Sequence, residues 1–159
     1  MKIEVEGCEG MKIATKYHNE LTVETKDIIR FENGIPGFNE ETQFVILPFS
    51  DDNFFSILQS ITTPQLAFVI VNPFHFFKEY DFELASSVVE KLAIESEKDV
   101  IVYTILTVND PFEDSTANLQ APVVINGKKQ TGKQVVLTEP TYHTKHQLFP
   151  KKTSTRQEV

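Results

Sequence analysis

A segment with glycines and lysines, Gly127–Gln134, has the residue types of a phosphate-binding loop. It matches the spacing GxxxxGK, but Gln134 stands where a Ser or Thr would bind magnesium. A phosphate loop also leads from a strand into a helix whose first amides hold the phosphate, whereas Val135–Leu137 is typical of another strand. The sequence therefore predicts a hairpin here, with its lysines facing water.

The histidines and the single cysteine do not form a complete catalytic or metal-binding set. His143 and His146 could share a ligand on a helix, but a zinc site usually needs four donors, so we predict a solvated histidine pair. His75 lies among phenylalanines, where we predict a structural role. Cys8 has no histidine near it in sequence, and there is no GxSxG nucleophile motif. We therefore expect no enzyme activity, no metal and no cofactor.

The segment Phe31–Phe38, with the sequence FENGIPGF, predicts a rigid loop that carries large hydrophobic side chains. Pro36 fixes φ, and Gly37 can adopt the positive φ that a type II turn needs after proline. Ile35 and Phe38 are then available either to close the end of a β-barrel or to contact a partner. Closing the barrel is the commoner role, because most large apolar residues belong to cores.

A second proline-stiffened region, residues 109–126, combines an aromatic residue with side-chain amides. An Asp-Pro pair ends the preceding strand and leaves Phe112 on a polar loop. Asn118 and Gln120 then precede Pro122. Such amides can bind a partner's backbone, although they more often satisfy the backbone of their own loop.

Short β-rich runs separated by turn residues dominate the chain and must position these loops. One short helix is predicted from Ser87 to Glu95, because Ser87–Glu90 fits a capping box. The strongest strand, Val100–Val108, is apolar on both faces and should be central. The other predicted strands are Lys12–Tyr17, Leu21–Glu24, Asp27–Phe31, Gln43–Pro48, Phe54–Ile61, Leu66–Asn72, Tyr80–Leu84, Val123–Asn126 and Lys133–Thr138. This pattern predicts a mainly β, closed or nearly closed β-barrel-like single domain with one short α-helix, and leaves a two-sheet sandwich as the alternative.

The chain of 159 residues is long enough for one domain, and its charge is unevenly divided. Residues 1–120 contain 21 acidic and 8 basic side chains, whereas residues 121–159 contain 2 and 7. An acidic body repels phosphate backbones and attracts basic proteins, so we expect no direct nucleic-acid binding by this body. No apolar run is long enough to cross a membrane, and one cysteine cannot form an internal disulfide, which indicates a reducing cytoplasm.

The two ends of the chain differ from the part between them. Met1–Ile3 is repeated as Met11–Ile13, so we expect residues 1–10 to be an N-terminal extension of a domain at residues 11–149. Residues 150–159 are polar and basic, and we expect them to form a mobile tail.

Several motifs, taken in their order along the chain, resemble those of the flagellar assembly factor FliW family. They are FENGIPGF at 31–38, Leu58–Ser60 with Pro64, Asp110–Phe112, Thr116–Pro122 and Gly132–Val135. The similarity covers about Met11 to Phe149. It implies a cytoplasmic, non-enzymatic regulator with a β-barrel-like fold that binds the translational repressor CsrA and the filament subunit flagellin. In that family the two partners compete, so accumulated flagellin frees CsrA to repress translation of the flagellin messenger.

We predict that the two rigid loops make the partner contacts. The predicted contact residues are Ile35, Pro36, Phe38, Phe112, Asn118, Gln120 and Pro122. Docked beside the RNA-binding surface of CsrA, the acidic body is expected to weaken RNA binding non-competitively through Coulomb repulsion. The unbound protein is expected to be a monomer that binds neither nucleic acid nor membrane directly. Two alternatives stay open: a small-ligand-binding or hydrolytic β-barrel, and an RNA-binding module that uses the basic stretch Lys128–Arg156 with Phe149 for stacking.

Overall fold

The chain folds mainly into short β-strands, as the sequence pattern predicts. The structure, a computed structural model, describes residues 10–49 and 54–149. The strands are β1 (Gly10–Thr15), β2 (Asn19–Glu24), β3 (Ile29–Arg30), β4 (Gln43–Pro48), β5 (Phe55–Ser60), β6 (Ala67–Val71), β7 (Val100–Thr107), β8 (Thr116–Ala117), β9 (Val123–Asn126), β10 (Thr131–Gln134) and β11 (His146–Gln147). The helices are α1 (Pro73–Phe76) and α2 (Ser86–Lys91), and three single 3-10 turns cover Thr25–Asp27, Glu97–Asp99 and Phe112–Asp114.

Seven of these strands close into a β-barrel. Strands β3 to β7 pair in sequence order, each antiparallel to the next. Strand β7 also pairs with β9, β9 with β10, and β10 returns to β3 through a parallel pairing of Thr131 with Arg30. Closure removes the long free edges that open sheets must otherwise protect. The predicted barrel is therefore confirmed, and the sandwich alternative is wrong.

The barrel strands are buried on both faces, and alternate residues enter two separate hydrophobic clusters. The first cluster contains only residues of the barrel strands and their loops: Ile29, Phe31, Ile35, Phe44, Leu58, Ile70, Val123 and Ile125. The second also contains residues of the β1–β2 hairpin, α2 and the C-terminal segments, among them Val23, Val88 and Leu148. Because elements outside the barrel reach only the second cluster, we assign the first cluster to the barrel interior and the second to its covered outer face.

The helices differ from the prediction in number and in start. Helix α2 begins at Ser86 behind Ala85, and no side chain caps it, so the predicted capping box at Ser87–Glu90 is wrong. Helix α1 was not predicted. It is a single turn that depends on local chemistry, because the Asn72 side chain accepts the Phe74 backbone N–H at 2.9 Å and proline occupies the first helical position.

Most predicted strands are present, with shifted ends. Strands β4 and β9 match the predicted ranges at both ends, and β7 is central because it pairs with β6, β8 and β9. The predicted strand Tyr80–Leu84 has no strand partner within residues 10–49 and 54–149. The strand predicted for Lys133–Thr138 is instead β10, which begins and ends earlier in the chain. It ends before Val135 because the N–H groups of Val135 and Leu137 donate to the loop carbonyls of Pro122 and Gln120.

The ends of the chain lie largely outside the described residues. The extension predicted for residues 1–10, apart from Gly10, and the tail predicted for residues 150–159 therefore stay predictions. Within residues 10–49 and 54–149, neither helix has the length or apolar character required to cross a membrane.

Candidate partner-binding surfaces

The first predicted contact loop is held as a tight turn. The Phe38 N–H donates to the Ile35 carbonyl at 2.6 Å, and Gly37 adopts a φ of +89°. This is the hydrogen bond and the backbone angle that a type II turn with proline before glycine requires. A second glycine is needed at Gly34, where φ is +69° and an added Cβ would lie 2.5 Å from the Phe38 carbonyl oxygen. The rigid loop predicted from the sequence is confirmed.

The two large hydrophobic side chains of this loop have different roles. Ile35 is only 2% exposed and belongs to the cluster inside the barrel together with Phe31. Phe38 is 42% exposed, and the edge of one ring meets the face of the other where it packs on Phe68, with ring centroids 5.8 Å apart. The loop therefore closes one end of the barrel with Ile35 and presents Phe38 on the surface.

A carboxylate fixes the far end of the same loop. Glu41 accepts hydrogen bonds from the hydroxyls of Ser60 at 2.6 Å, Thr63 at 2.6 Å and Thr62 at 3.1 Å. These bonds, with that of Ser60 the largest contribution, hold the pKa of Glu41 below its usual value. The loop is thus tied to the β5–β6 turn. The sequence near Glu41 does not indicate this contact, because the three hydroxyl groups lie 19 to 22 residues further along the chain.

Gln59 supports that turn from inside. Its side chain is fully buried, and its amide donates to the carbonyls of Ser60 at 3.0 Å and Pro64 at 3.1 Å. Its carbonyl oxygen accepts the Lys16 backbone N–H at 3.0 Å from the β1–β2 hairpin. A buried amide with these partners orders two loops at once. The position of Gln59 in a family motif is therefore explained by a structural role.

The second predicted contact region presents Phe112. Phe112 is 36% exposed, and its ring contacts Phe55 at 5.5 Å and Phe149 at 5.7 Å between centroids. Phe55 and Phe149 both also contact Phe76. These rings form an aromatic surface cluster of Phe55, Phe76, Phe112 and Phe149. Phe149 is engaged in this cluster, which disfavours its predicted use for stacking on RNA bases.

The amide side chain of Asn118 serves its own loop. Its oxygen accepts the backbone N–H groups of Gln120 at 3.1 Å and Ala121 at 3.0 Å. Gln120 is half-buried; its backbone N–H donates to His143 and its carbonyl accepts from Leu137. Pro122 is buried, and its carbonyl accepts the Val135 N–H at 2.9 Å. This arrangement agrees with the commoner role of such amides, which is to satisfy the backbone of their own loop.

The structure thus divides the seven predicted contact residues. Ile35 and Pro122 are buried, Asn118 and Gln120 are half-buried, and Pro36, Phe38 and Phe112 are exposed. Direct contact by Ile35 and Pro122 would require their side chains to leave the core, so their burial favours a role in shaping the loops. Partner contact by the seven residues stays a prediction.

The exposed aromatic residues of the two predicted contact loops, Phe38 and Phe112, lie at opposite ends of the β5–β6 pair. Phe38 packs on Phe68, which is paired with Leu58, whereas Phe112 packs on Phe55, which is paired with Val71. Phe55 and Leu58 also point to opposite faces, because they are three positions apart along one strand. The structure therefore does not bring the two loops together, and it offers two separate surfaces.

The predicted solvated histidine pair is correct for His143, which is exposed, whereas His146 is half-buried. The rings of His143 and His146 stack 5.1 Å apart, and the His143 backbone N–H donates to Nε2 of His146 at 2.8 Å. His146 is half-buried on β11, and burial first, then the His143 charge, lowers its pKa. The His143 carbonyl accepts the backbone N–H groups of Leu119 and Gln120. The pair therefore supports the loop that contains Asn118.

The titratable side chains of the described ranges do not cluster as a metal site requires. Among residues 10–49 and 54–149 no group of three or more His, Cys, Asp or Glu side chains is placed to hold a metal ion. Among the groups with displaced pKa values, Glu41 and His146 have the structural contacts above, and burial raises the pKa values of Tyr80, which lines one cavity with His146, and of Tyr103. The Tyr80 hydroxyl donates to the Leu119 carbonyl at 2.7 Å.

The segment that resembles a phosphate loop is a β-hairpin. Strands β9 and β10 pair from Val123 with Gln134 to Asn126 with Thr131. The Asn126 side-chain oxygen accepts the backbone N–H groups of Lys128 and Lys129, and both lysines are exposed. The turn leads into strand β10 and not into a helix whose first amides could hold phosphate. The hairpin predicted at Gly127–Gln134 is confirmed.

Comparison with known proteins identifies the family. A family model described as FliW protein matches residues 12–148. The chain belongs to the FliW family. The region matched contains both aromatic loops and the whole barrel, so the FliW resemblance of the motifs is confirmed.

The chain is similar in sequence to individual FliW proteins along nearly their whole length. The flagellar assembly factor FliW of Geobacillus kaustophilus (strain HTA426) is 58% identical over 142 residues, which are 89% of this chain and 98% of that protein. The corresponding protein of Bacillus subtilis (strain 168) is 54% identical over 138 residues, 87% of this chain and 96% of that protein. A crystal structure of the flagellar assembly factor FliW superposes with a TM-score of 0.85 at 56% identity, covering 89% of this chain and 99% of that one.

Proposed function

We propose that this protein binds CsrA and flagellin in the cytoplasm and couples flagellin synthesis to filament assembly. It acts by occupying these partners and catalyses no reaction. Membership of the FliW family supports the proposal, because relatives in that family are named flagellar assembly factors. The observation that carries the proposal furthest is the pair of separate aromatic surfaces, at Phe38 and at Phe112, on one closed barrel.

Two surfaces on a rigid barrel suit a protein with two protein partners. Exposed aromatic side chains are frequent anchors at protein interfaces, because they bury a large area at small cost in conformational entropy. Phe38 and Phe112 are both supported from beneath by further rings, so neither needs to become ordered on binding. Competition between the partners then follows either from overlap on one surface or from coupling through the barrel.

The charge of the body supplies the proposed effect on RNA binding. Residues 1–120 carry 21 acidic and 8 basic side chains. A surface of CsrA that holds RNA must be basic, and an acidic body bound next to it lowers the local positive potential. The affinity for phosphate falls by this route even where the RNA site stays uncovered. The antagonism is therefore proposed to be non-competitive.

Direct binding to purified partners tests the proposal. Isothermal titration calorimetry with RNA-free CsrA, and separately with flagellin, is expected to give saturable binding to each. Flagellin added to the CsrA complex is expected to release CsrA, and sedimentation of the free protein to report a monomer. Absence of binding to both partners would overturn the proposal. Direct binding of RNA by this protein with a steep salt dependence would instead favour the RNA-binding alternative.

A further inference from the structure

A groove on the outer face of the barrel has an apolar floor. It encloses about 640 Å³ between residues 81–84, helix α2 and the first half of β7. Its apolar lining consists of the exposed Phe74 and the half-buried Phe82, Leu84, Val89, Ile94, Val100 and Val102. An apolar groove of this size on a soluble protein indicates a binding surface.

The groove is surrounded by negative charge. Four carboxylates line it, those of Asp81, Glu83, Glu95 and Glu97, and no lysine or arginine does. Lys129 pairs with Glu95 at 3.6 Å, whereas the other three carboxylates have no ion-pair partner in the described part of the chain. Glu83 and Glu97 are exposed. A ligand of this groove must therefore offer apolar groups to the floor and positive charge to the rim.

One wall of the groove has the side-chain pattern of a strand without a partner. Along residues 81–84 exposed acidic and partly buried apolar side chains alternate, and this alternation is why the sequence predicts a strand there. The Asp81 backbone binds the Tyr142 hydroxyl through both its N–H and its carbonyl, each at 3.1 Å. For Phe82–Leu84 no backbone hydrogen bond occurs within the described residues.

The opposite wall also offers free backbone. Strand β7 pairs with β9 from Val100 to Tyr103 on one edge. On its other edge, β6 reaches only Thr104 and Ile105. Among the residues that the structure describes, no strand therefore pairs with the backbone groups of Val100–Tyr103 that face away from β9. Unpaired backbone donors and acceptors beside an apolar groove are the setting in which proteins accept an additional strand.

We propose that this groove accepts an extended basic segment of a partner protein by strand addition along Phe82–Leu84. Alternate apolar side chains of that segment lie on Phe82, Leu84 and Ile94. Its lysine or arginine side chains face Asp81, Glu83 and Glu97, as opposite charges on neighbouring strands do. The backbone of the segment satisfies the free N–H and carbonyl groups of the wall.

The positive charge and the apolar side chains that the groove requires together indicate that its occupant is a segment of a partner protein and not the tail of this chain. The basic end of this chain, Lys151–Arg156, has the required charge but contains no large apolar side chain. It would leave the floor of the groove exposed. The inference goes beyond the proposed function, because it requires neither CsrA nor flagellin and is tested with a synthetic probe.

The probe is an acetylated octapeptide of alternating lysine and valine. Its binding to the full chain is measured by fluorescence anisotropy, and amide exchange of Phe82, Glu83 and Leu84 is followed by NMR. We expect saturable binding that protects these amides. Replacing valine by serine in the peptide is expected to weaken binding by about tenfold or more, because the apolar contact is lost. N-methylation of those peptide amides that face Phe82–Leu84 is expected to weaken binding by a similar factor, because it removes backbone hydrogen bonds.

Two double variants of equal charge provide the control on the protein. Glu83→Lys with Glu97→Lys reverses the rim, and Glu20→Lys with Glu40→Lys makes the same change at exposed positions outside the groove. We expect a loss of affinity of about tenfold or more for the first and less than about twofold for the second. Equal losses would overturn the proposal, and so would tight binding of the lysine–serine peptide. One further result would overturn the proposal. If the amides of Phe82–Leu84 are protected from exchange without peptide, and the chain does not bind the peptide, the groove is occupied by the chain's own tail.

Discussion

The ring of Phe31 lies directly against the backbone of Gly132. A Cβ placed on Gly132 would approach the Phe31 Cζ atom to 2.7 Å. Phe31 is fully buried inside the barrel at the start of the first contact loop, and Gly132 lies in β10 beside the parallel pairing that closes the barrel. This contact connects barrel closure with the position of the loop that carries Ile35 and Phe38.

We predict that Gly132→Ala destabilises the protein. The added methyl group has no room without displacing a buried ring, so the free energy of unfolding is expected to fall by about 1–3 kcal/mol, as for overpacked cores. Urea unfolding measures the change. Gly127→Ala is the matched control, because its added Cβ would meet the tip of the exposed Ile101 side chain at 3.0 Å, which can rotate away. An equal loss in both variants would contradict this account.

Glu41→Gln should lower stability near neutral pH more than Glu40→Gln does. The lowered pKa of Glu41 means that the folded state prefers the carboxylate, which accepts the hydroxyl bonds of the β5–β6 turn. This stabilisation is present above the usual pKa of 4.5 and is lost as the pH falls through the lower folded-state value. Unfolding midpoints measured between neutral and acid pH report it. If the two variants lose the same stability at every pH, Glu41 does not anchor the loop.

We expect the stability of the protein to decrease as the pH falls below about 6.5 because of His146. Its folded-state pKa lies below the usual 6.5, so the unfolded chain takes up a proton first. The free energy of unfolding then falls until the pH reaches the folded-state pKa. Protonation would also remove the acceptor that Nε2 offers to the His143 N–H. Thermal unfolding in buffers across this range measures the effect. His146→Gln should abolish this part of the pH dependence, whereas the same change at His75 should leave it; a dependence that persists in the His146 variant would exclude this cause.

Phe38→Ala is expected to weaken binding of one of the two partners by about tenfold or more, the loss typical of a truncated aromatic anchor. Tyr17→Ala removes an aromatic side chain of similar exposure, 43%, on the β1–β2 hairpin and serves as the control. Circular dichroism establishes that both variants are folded, and calorimetry gives the affinities for CsrA and flagellin. A folded Phe38 variant that binds both partners with unchanged affinity would show that Phe38 belongs to the scaffold.

The barrel could be predicted from sequence because its strands are short, apolar and separated by recognisable turns. Residues Ile35–Phe38 illustrate this, since proline and glycine at fixed positions determine the backbone whatever the surroundings. Strands β8 and β11 could not be predicted in this way. Each has two residues and depends on pairing with another part of the chain: Ala117 pairs with His146 and Thr116 with Gln147, and β8 also pairs with Leu106 and Thr107 of β7.

The candidate surfaces were only partly predictable for the same reason. The motif residues mark both loops, but sequence cannot tell that Ile35 and Pro122 point inward while Phe38 and Phe112 point outward. Burial depends on which residues of other strands lie opposite. The acidic groove was missed altogether, because its carboxylates come from positions 81–83 and 95–97, which become neighbours only after the barrel has formed.

The RNA affinity of CsrA, measured with and without saturating amounts of this protein, tests the central claim most directly. Formation of the protein–CsrA complex is verified independently at each salt concentration. We predict markedly weaker RNA binding by the complex at about 50 mM salt and a much smaller difference at about 500 mM, because salt screens the field of the acidic body. An RNA affinity that is unchanged in the verified complex would contradict the account, and an effect equal at both salt concentrations would exclude its electrostatic origin.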